Sequence, residues 1–250
     1  TDLVTVEVHA PEDAGVVVAL NDGRLQITVP RPTGWLASWR AEAPHLRVVV
    51  PHGSSLRVHA VSAETHVRGS WRALILESQS GDIRISAECT TLAATSSSGD
   101  IDADHAPVGA VLRSGSGDLR VGHCASDASL SAGSGDVTVG SMTSGGSLKT
   151  GSGGVNVGTA GGEIALSTGS GDAHIQLFGA GRLTGRAGSG SILVGLPVGM
   201  PVWTDLRSNS GDVRSTLPPA GPPVDGQDHA EVRLVTGSGD ISLVPQEVLR

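Results

Sequence analysis

The stretch Gly-Ser-Gly-Asp-Leu at residues 115–119 recurs one repeat later as Gly-Ser-Gly-Asp-Val at residues 133–137. Its second glycine returns every 18 residues over six consecutive positions: Gly81, Gly99, Gly117, Gly135, Gly153 and Gly171. A fixed period of this length is typical of stacked structural units rather than of a single globular core. The sequence therefore predicts a solenoid in which each repeat forms one coil.

Adding 18 to a position gives columns of equivalent residues, and four of these columns are mainly aliphatic. They begin at Leu74, Leu76, Ile83 and Ile85. Residues two apart lie on one side of a strand, so each coil should have two strands, a tight Ser-Gly-Asp corner and a looser second corner. The even positions before the corner, including Ser116, are predicted to point inward. The corner glycine is expected to adopt positive φ, and the aspartate to bind nearby backbone N–H groups.

These patterns predict an all-β, right-handed parallel β-solenoid (β-helix) with 18-residue coils and an N-terminal β-hairpin cap. A left-handed hexapeptide helix is excluded because no aliphatic residue recurs at every sixth position, and parallel crossovers are generally right-handed. About ten coils are expected over residues 51–245, with a long Pro-rich loop near 217–228 and a tail at 246–250.

Residues 1–50 lack the repeat and are predicted to be a β capping region. Two apolar runs flank Asn-Asp-Gly at residues 21–23, which is a strong signal for a hairpin. Trp35 and Trp39 are expected to cover the open end of the stack, because the ends of solenoids need caps. Residues 46–50 are expected to enter the stack as a strand.

Composition argues against several classes of partner. The net charge of -8, the single lysine and the absence of tyrosine do not suit nucleic-acid binding. No apolar run reaches the roughly 18 residues of a membrane span, and no signal pattern opens the chain. Cys89 and Cys124 lie about two coils apart, ~9.6 Å along the stack, which is too far for a disulfide. Reduced thiols and a cytoplasmic location are expected, or export if an N-terminal segment was trimmed.

Two constellations are candidate metal sites, and neither has a complete ligand pattern. The aspartate column that includes Asp100, Asp118 and Asp136 could hold calcium between stacked carboxylates, although bonding to backbone is favoured because glycine precedes aspartate directly. His105 and His123 are one repeat apart and, with Cys124, could bind a transition metal.

Other patterns favour a structural interpretation. In an outward column, Arg84, Asp102 and Arg120 alternate in charge and are predicted to form a ladder of ion pairs. G-x-S-x-G and the Walker A loop are both absent, so no catalytic residue and no cofactor are predicted.

The Ser-Gly-Asp-aliphatic-x-aliphatic unit resembles the adhesin-labelled bacterial β-strand-repeat family of unknown function. The resemblance extends to Asp-Gly-Arg-Leu at 22–25, Val-Trp-Thr-Asp-Leu at 202–206 and Ala-Glu-Val-Arg at 230–233, which are similar to actinobacterial members. It covers nearly the whole chain. It implies a repeat fold and, only by analogy between solenoids, attachment to a surface; it brings no catalytic residues.

Three functions are compatible with these observations. The main hypothesis is a non-enzymatic interaction scaffold of adhesin-like type, with protein partners at the long faces, at the loose corners or at the Pro-rich loop near Pro219. A polysaccharide-binding or polysaccharide-acting β-helix is the second, although the chain has only five aromatic residues. The third is a structural protein that forms homo-oligomers.

Overall fold

The structure is a computed structural model that describes residues 4–9, 15–30, 44–218 and 226–246. Every regular element among these residues is a β-strand. The chain divides into two units, Thr1–His52 and Gly53–Arg250. Within the described ranges, no helix has the length and apolar character needed to cross a membrane.

The first unit contains two separate antiparallel pairs of strands. Its strands are β1 (Thr5–His9), β2 (Val17–Asn21), β3 (Arg24–Thr28) and β4 (His45–Val49). β2 and β3 form the predicted hairpin, and its two turn residues, Asp22 (φ 48°) and Gly23 (φ 74°), both have the positive φ of a type I′ turn.

The prediction for residues 46–50 was wrong. β4 pairs with β1 in antiparallel register from Thr5↔Val49 to His9↔His45, and Pro51 and Gly53 follow before the stack begins. Trp35 and Trp39, the predicted capping residues, lie outside the described residues.

The second unit is the solenoid, and its first parallel strand is β5. Its strands are β5 (Ser55–Ala60), β6 (Thr65–Ser78), β7 (Ile83–Ser96), β8 (Ile101–Ala106), β9 (Val111–Ser114), β10 (Leu119–Cys124), β11 (Ala128–Ala132), β12 (Val137–Met142), β13 (Gly146–Thr150), β14 (Val155–Thr168), β15 (Ala173–Ala187), β16 (Ile192–Pro197), β17 (Val202–Ser208), β18 (Val213–Ser215), β19 (Ala230–Thr236) and β20 (Ile241–Gln246).

Neighbouring strands of the solenoid are parallel, and most are paired in register 18 residues apart. For example, Leu119 pairs with Ile101 on one side and with Val137 on the other. We call the strands that lead into the Ser-Gly-Asp corner face A and the strands that leave it face B. The long strands β6, β7, β14 and β15 pass through the loose corner without a break and so contribute to both faces. The predicted all-β parallel solenoid is confirmed.

The four aliphatic columns fill the space between the two faces. Leu74, Leu112, Ile101 and Leu119 are fully buried, and the buried side chains of successive coils form one continuous core. Each such side chain contributes roughly 1.5–3 kcal/mol of hydrophobic free energy before chain entropy is subtracted. Stacking of equivalent residues therefore stabilises the fold.

The last coils do not stack in chain order. About eight turns follow one another from β5 to β16, but the final coil, 230–246, lies between that stack and coil 202–215. On face A the order is β15, β19, β17, and on face B it is β16, β20, β18. The long connection after residue 215 joins two neighbouring coils, as expected, but the later coil, 230–246, lies nearer to the rest of the stack than coil 202–215. Most of this loop, residues 219–225 with Pro219, lies outside the described residues. Of the predicted tail at 246–250, Gln246 belongs to β20 and residues 247–250 lie outside the described residues.

The side chains of the two coils account for the exchanged order. Coil 230–246 places Val232 and Leu243 in core columns, and both are buried, whereas coil 202–215 has Thr204 and Ser215 at the equivalent positions. Gly185 also leaves room for Leu234, since a Cβ at residue 185 would lie 2.6 Å from Leu234 Cδ2. The more apolar coil is therefore covered on both sides, and the more polar coil occupies the outer position.

Candidate functional site

The corner glycines are required by close contact between coils. A Cβ on Gly117 would lie 2.3 Å from the carbonyl oxygen of Gly99, and a Cβ on Gly135 would lie 2.1 Å from that of Gly117. Neither glycine has positive φ, so the expected left-handed conformation was wrong. Any side chain here would push two coils apart, which explains the repeated glycine without a ligand.

The aspartates of the corner are tied to the next coil. The backbone N–H of Asp118 donates to Oδ1 of Asp100 at 2.8 Å, and that of Asp136 donates to Oδ1 of Asp118 at 2.9 Å. Asp136 in turn accepts the N–H of Gly154 at 2.7 Å. The prediction that these aspartates bind backbone is confirmed, because one oxygen of each of the three candidate carboxylates is engaged in this ladder.

A column of buried hydroxyl groups also stabilises the corner, through hydrogen bonds to its backbone. Ser114 Oγ accepts the N–H of Gly117 at 2.9 Å and donates to the carbonyl of Gly99 at 3.3 Å. Thr150 Oγ1 makes the same two bonds two coils later: it accepts the N–H of Gly153 and donates to the carbonyl of Gly135. In this column Ala132 has no hydroxyl, and Thr168 Oγ1 is buried without a hydrogen-bond partner among the described residues.

The motif serine itself points outward, so its predicted inward position was wrong. Ser116 is exposed, whereas Ser114 is buried. The strand ends at Ser114, and the change in alternation takes place over the following corner residues rather than at the Gly-Asp step alone. The inward hydroxyl, in the coils that have one, is therefore two residues before the motif serine.

The arginines of face B pair with the corner aspartates and not with Asp102. Arg120 contacts Asp118 Oδ2 at 2.7 Å and Asp100 Oδ2 at 3.3 Å, and Arg84 contacts Glu64. Partial desolvation lowers the pKa of Arg120, but the hydrogen bonds and charges of Asp100 and Asp118 outweigh it and raise that pKa overall. The predicted ladder through Asp102 is therefore wrong, because the guanidinium groups reach the corner carboxylates instead.

Strand alternation places the residues of the second metal candidate on opposite sides of the sheet, with the histidines outside and Cys124 inside. The rings of His105 and His123 approach edge to face with centroids 6.2 Å apart, and His123 Nδ1 lies 2.6 Å from Ser141 Oγ. Cys124, the next residue, points into the core, where burial raises the pKa of its thiol to about 12. Both cysteines are free. Over the ranges that the structure describes, no three His, Cys, Asp or Glu side chains are grouped to hold a metal ion.

A surface that the sequence analysis missed lies on face A. Its centre is a row of exposed cations at every second coil: Arg113, Lys149 and Arg186 occupy one outward column, with Ser131 and Ser167 between them. We call this column and its outward neighbours on residues 93–97, 111–115, 129–133, 147–151, 165–169 and 184–188 the basic face.

The basic face contains no acidic residue in any of its six segments. Arg113, Lys149 and Arg186 make no ion pair or hydrogen bond with any residue in the described part of the chain. By contrast, Arg120, Arg182 and four further arginines of the solenoid contact carboxylates. The three cations are therefore available to an external group.

A shallow, open groove runs along part of the basic face, between residues 95 and 151. It has a volume of about 570 Å³, and its lining includes Thr95, Arg113, Ser131, Lys149, Gly115, Gly133 and Gly151. The glycines form a column beside the cations that continues through Gly169 and Gly188. As at the corner, a Cβ here would meet the preceding coil, at 2.3 Å from Gly115 O in the case of Gly133. The structural need for glycine thus leaves a trough without side chains next to the cations.

This surface could have been found from the sequence. Adding 18 to Arg113 gives Ser131 and then Lys149, and the parity of the column marks it as outward. The net charge of -8 argued against any basic patch, because it sums acidic residues that lie elsewhere on the coil. A charge count for each column, rather than for the whole chain, is the signal that identifies it.

Comparison with known proteins agrees with the fold. A search of curated proteins and a search of solved structures each found no match. The model of the Toastrack DUF4097 family matches residues 1–244. This is a β-solenoid repeat family of unknown function, and the predicted resemblance to a β-strand-repeat family is confirmed at that level. The chain belongs to the Toastrack DUF4097 family.

Proposed function

We propose that this Toastrack protein is a non-enzymatic interaction scaffold of adhesin-like type whose binding surface is the basic face. The observation that carries the proposal is the row of three cations without ion pairs, Arg113, Lys149 and Arg186, on a surface without carboxylates. Charges beyond about 8 Å are largely screened at physiological salt. The local charge of this face, rather than the net charge of the chain, therefore determines what it attracts.

The other candidate sites offer less to a partner. The carboxylates of Asp100 and Asp118 are engaged with backbone N–H groups and with Arg120. Burial raises the pKa of the Cys124 thiol, which opposes formation of a nucleophilic thiolate. These groups serve the stack, whereas Arg113, Lys149 and Arg186 make no ion pair or hydrogen bond within the described structure.

A matched pair of variants tests the proposal. The first variant replaces Arg113, Lys149 and Arg186 with serine, which already occupies the same column in the intervening coils. The control replaces Arg57, Arg68 and Arg72 with serine. Their side chains are also exposed and without a partner in the described structure, and they lie on the first two strands of the solenoid. Both variants change the net charge equally.

Binding is measured to immobilised polyglutamate, heparin, single-stranded DNA and neutral dextran. We expect the wild-type protein and the control to bind at least one anionic polymer, and the basic-face variant to lose that binding. Equal binding by the two variants, or no binding to any anionic polymer, would contradict the proposal. Each polymer is also analysed for cleavage after incubation, and turnover by the wild-type protein would refute the non-enzymatic role.

A further inference from the structure

The spacing of the cations on the basic face selects among the possible shapes of an anionic partner. Arg113, Lys149 and Arg186 are each two coils apart. At ~4.8 Å between strands, neighbouring cations are ~9.6 Å apart along the solenoid and the outer two are ~19.2 Å apart. A partner that meets all three at once must present anions at that interval in one line.

Extended peptides differ in whether they can do so. A polyproline II helix has three residues per turn and a rise of ~3.1 Å, so an acid at every third residue recurs at ~9.3 Å on one side. Over two intervals this gives ~18.6 Å, which is within about 0.6 Å of the row.

The other regular peptide shapes fit less well. In a β-strand, side chains on one side recur at ~6.8 Å or, at every second one, at ~13.6 Å. Neither distance matches the ~9.6 Å between neighbouring cations. An α-helix with acids seven residues apart gives ~10.5 Å per interval and ~21 Å over two, an excess of about 1.8 Å. The row of cations therefore matches polyproline II most closely.

The surface between the cations suits a polyproline II backbone. Such a helix has no internal hydrogen bonds, and its carbonyl groups need external donors. Ser131 and Ser167 alternate with the cations, and their hydroxyls have no partner among the residues described. The trough of glycines, including Gly133 and Gly151, removes side chains that would hold the backbone away.

The same surface argues against other anionic polymers. The outward positions of the basic face include no aromatic residue, whereas single-stranded nucleic acid is generally held by stacking on aromatic rings, and sugar rings commonly stack on them as well. An acidic peptide needs only cations and hydroxyl donors, which this face supplies.

We infer that the basic face binds an extended acidic peptide segment of a partner protein in the polyproline II conformation, with acidic residues at every third position. This inference rests on the proposed function and specifies its partner. Binding is by charge and by backbone hydrogen bonds, and prolines in the partner contribute by fixing its conformation before binding.

The test uses three fluorescent peptides of equal length and the whole 250-residue chain. The probe is a peptide of about five Glu-Pro-Pro repeats. A second peptide has the same residues with its glutamates clustered at one end, and a third replaces each glutamate with glutamine. Affinity is measured by fluorescence anisotropy at about 50 mM and about 300 mM NaCl, because binding between carboxylates and cations weakens as salt screens their charges.

The inference predicts that the regular peptide binds at least about fivefold more tightly than the clustered peptide at low salt, and that the glutamine peptide does not bind. Substituting Lys149→Ser, the central cation, should weaken binding of the regular peptide by about three- to fivefold and leave binding of the clustered peptide nearly unchanged. The control variant at Arg57, Arg68 and Arg72 should bind like wild type.

The outcomes separate this inference from the proposed function. If the clustered and regular peptides bind equally well, the spacing argument is overturned while an anion-binding scaffold stands. If heparin or single-stranded DNA binds and neither acidic peptide does, the partner class is wrong. If no anionic probe binds, the proposed function fails together with the inference.

Discussion

The buried hydroxyl of Ser114 should make a measurable contribution to the stability of the solenoid. Its oxygen accepts the N–H of Gly117 at 2.9 Å and donates to the carbonyl of Gly99 at 3.3 Å. In Ser114→Ala both backbone groups lose this partner inside the stack. An unsatisfied buried group costs about 1–3 kcal/mol. The carbonyl bond is long and contributes less, so we expect a total loss of about 2 kcal/mol.

Thermal and urea unfolding provide the assay. A loss of about 2 kcal/mol should lower Tm by about 4–8 °C for a chain of this size. Three controls bracket the effect. Ser114→Thr should be close to wild type, because Thr150 makes the same bonds in its own coil. Ala132→Ser should restore the missing hydroxyl of its coil and gain about 0.5–1.5 kcal/mol. Ser116→Ala changes an exposed hydroxyl and should stay within about 0.5 kcal/mol of wild type.

The reasoning would be refuted if Ser114→Ala and Ser116→Ala had the same stability. It would also fail if Ser114→Thr were as destabilised as Ser114→Ala, since the hydroxyl would then not be the group that matters. Agreement of the two unfolding methods in rank order is needed for either conclusion.

Three further predictions concern other parts of the stack. Asp118→Ala should cost about 1–2 kcal/mol by urea unfolding, because the backbone N–H of the next coil loses its acceptor; Asp118→Asn, which keeps an acceptor oxygen, should cost less, and equal losses would contradict the ladder. Cys124, whose burial raises its pKa to about 12, should resist iodoacetamide at pH 8 in a Cys89→Ser background until urea unfolds the chain. Rapid labelling of the native protein would refute this burial. Because the folded-state pKa lies above the ordinary thiol value of 9.0, the thiol's contribution to stability should decline as pH rises above about 9, where the unfolded chain ionises first. Gly185→Leu should displace coil 230–246, since its Cβ would lie 2.6 Å from Leu234 Cδ2, and hydrogen exchange should then increase in 230–246 before it increases in the central coils.

The repeat made most of the fold predictable. An 18-residue period fixes which residues stack, and the aliphatic columns that begin at Leu74 and Ile83 are buried as the alternation requires. The same reasoning assigned the hairpin at Asp22 and the backbone role of the corner aspartates. These features follow from local pattern and from equivalence between coils, so one sequence is enough to find them.

The exchanged order of the last coils was not predictable in this way. Periodicity shows that coils 202–215 and 230–246 are equivalent to the others, but it does not show which one lies outermost. That order depends on comparing their core residues, such as Thr204 with Val232, and on the room that Gly185 leaves for Leu234. The inward position of Ser114 rather than Ser116 likewise depends on where a strand ends, to within two residues.

Within each coil, the positions that stabilise the stack differ from those that are free to bind a partner. From Gly81 to Gly171 each coil has glycine at the corner, because the chain of the preceding coil leaves no room for a Cβ. Most coils also have an acceptor after the corner glycine, as at Asp118, and a hydroxyl inside the corner, as at Ser114. The outward column of Arg113 is under none of these constraints, since its side chains contact nothing that holds the stack together. Cations that recur there at every second coil from Arg113 to Arg186, in segments that contain no acidic residue, are therefore better explained by an external partner than by folding.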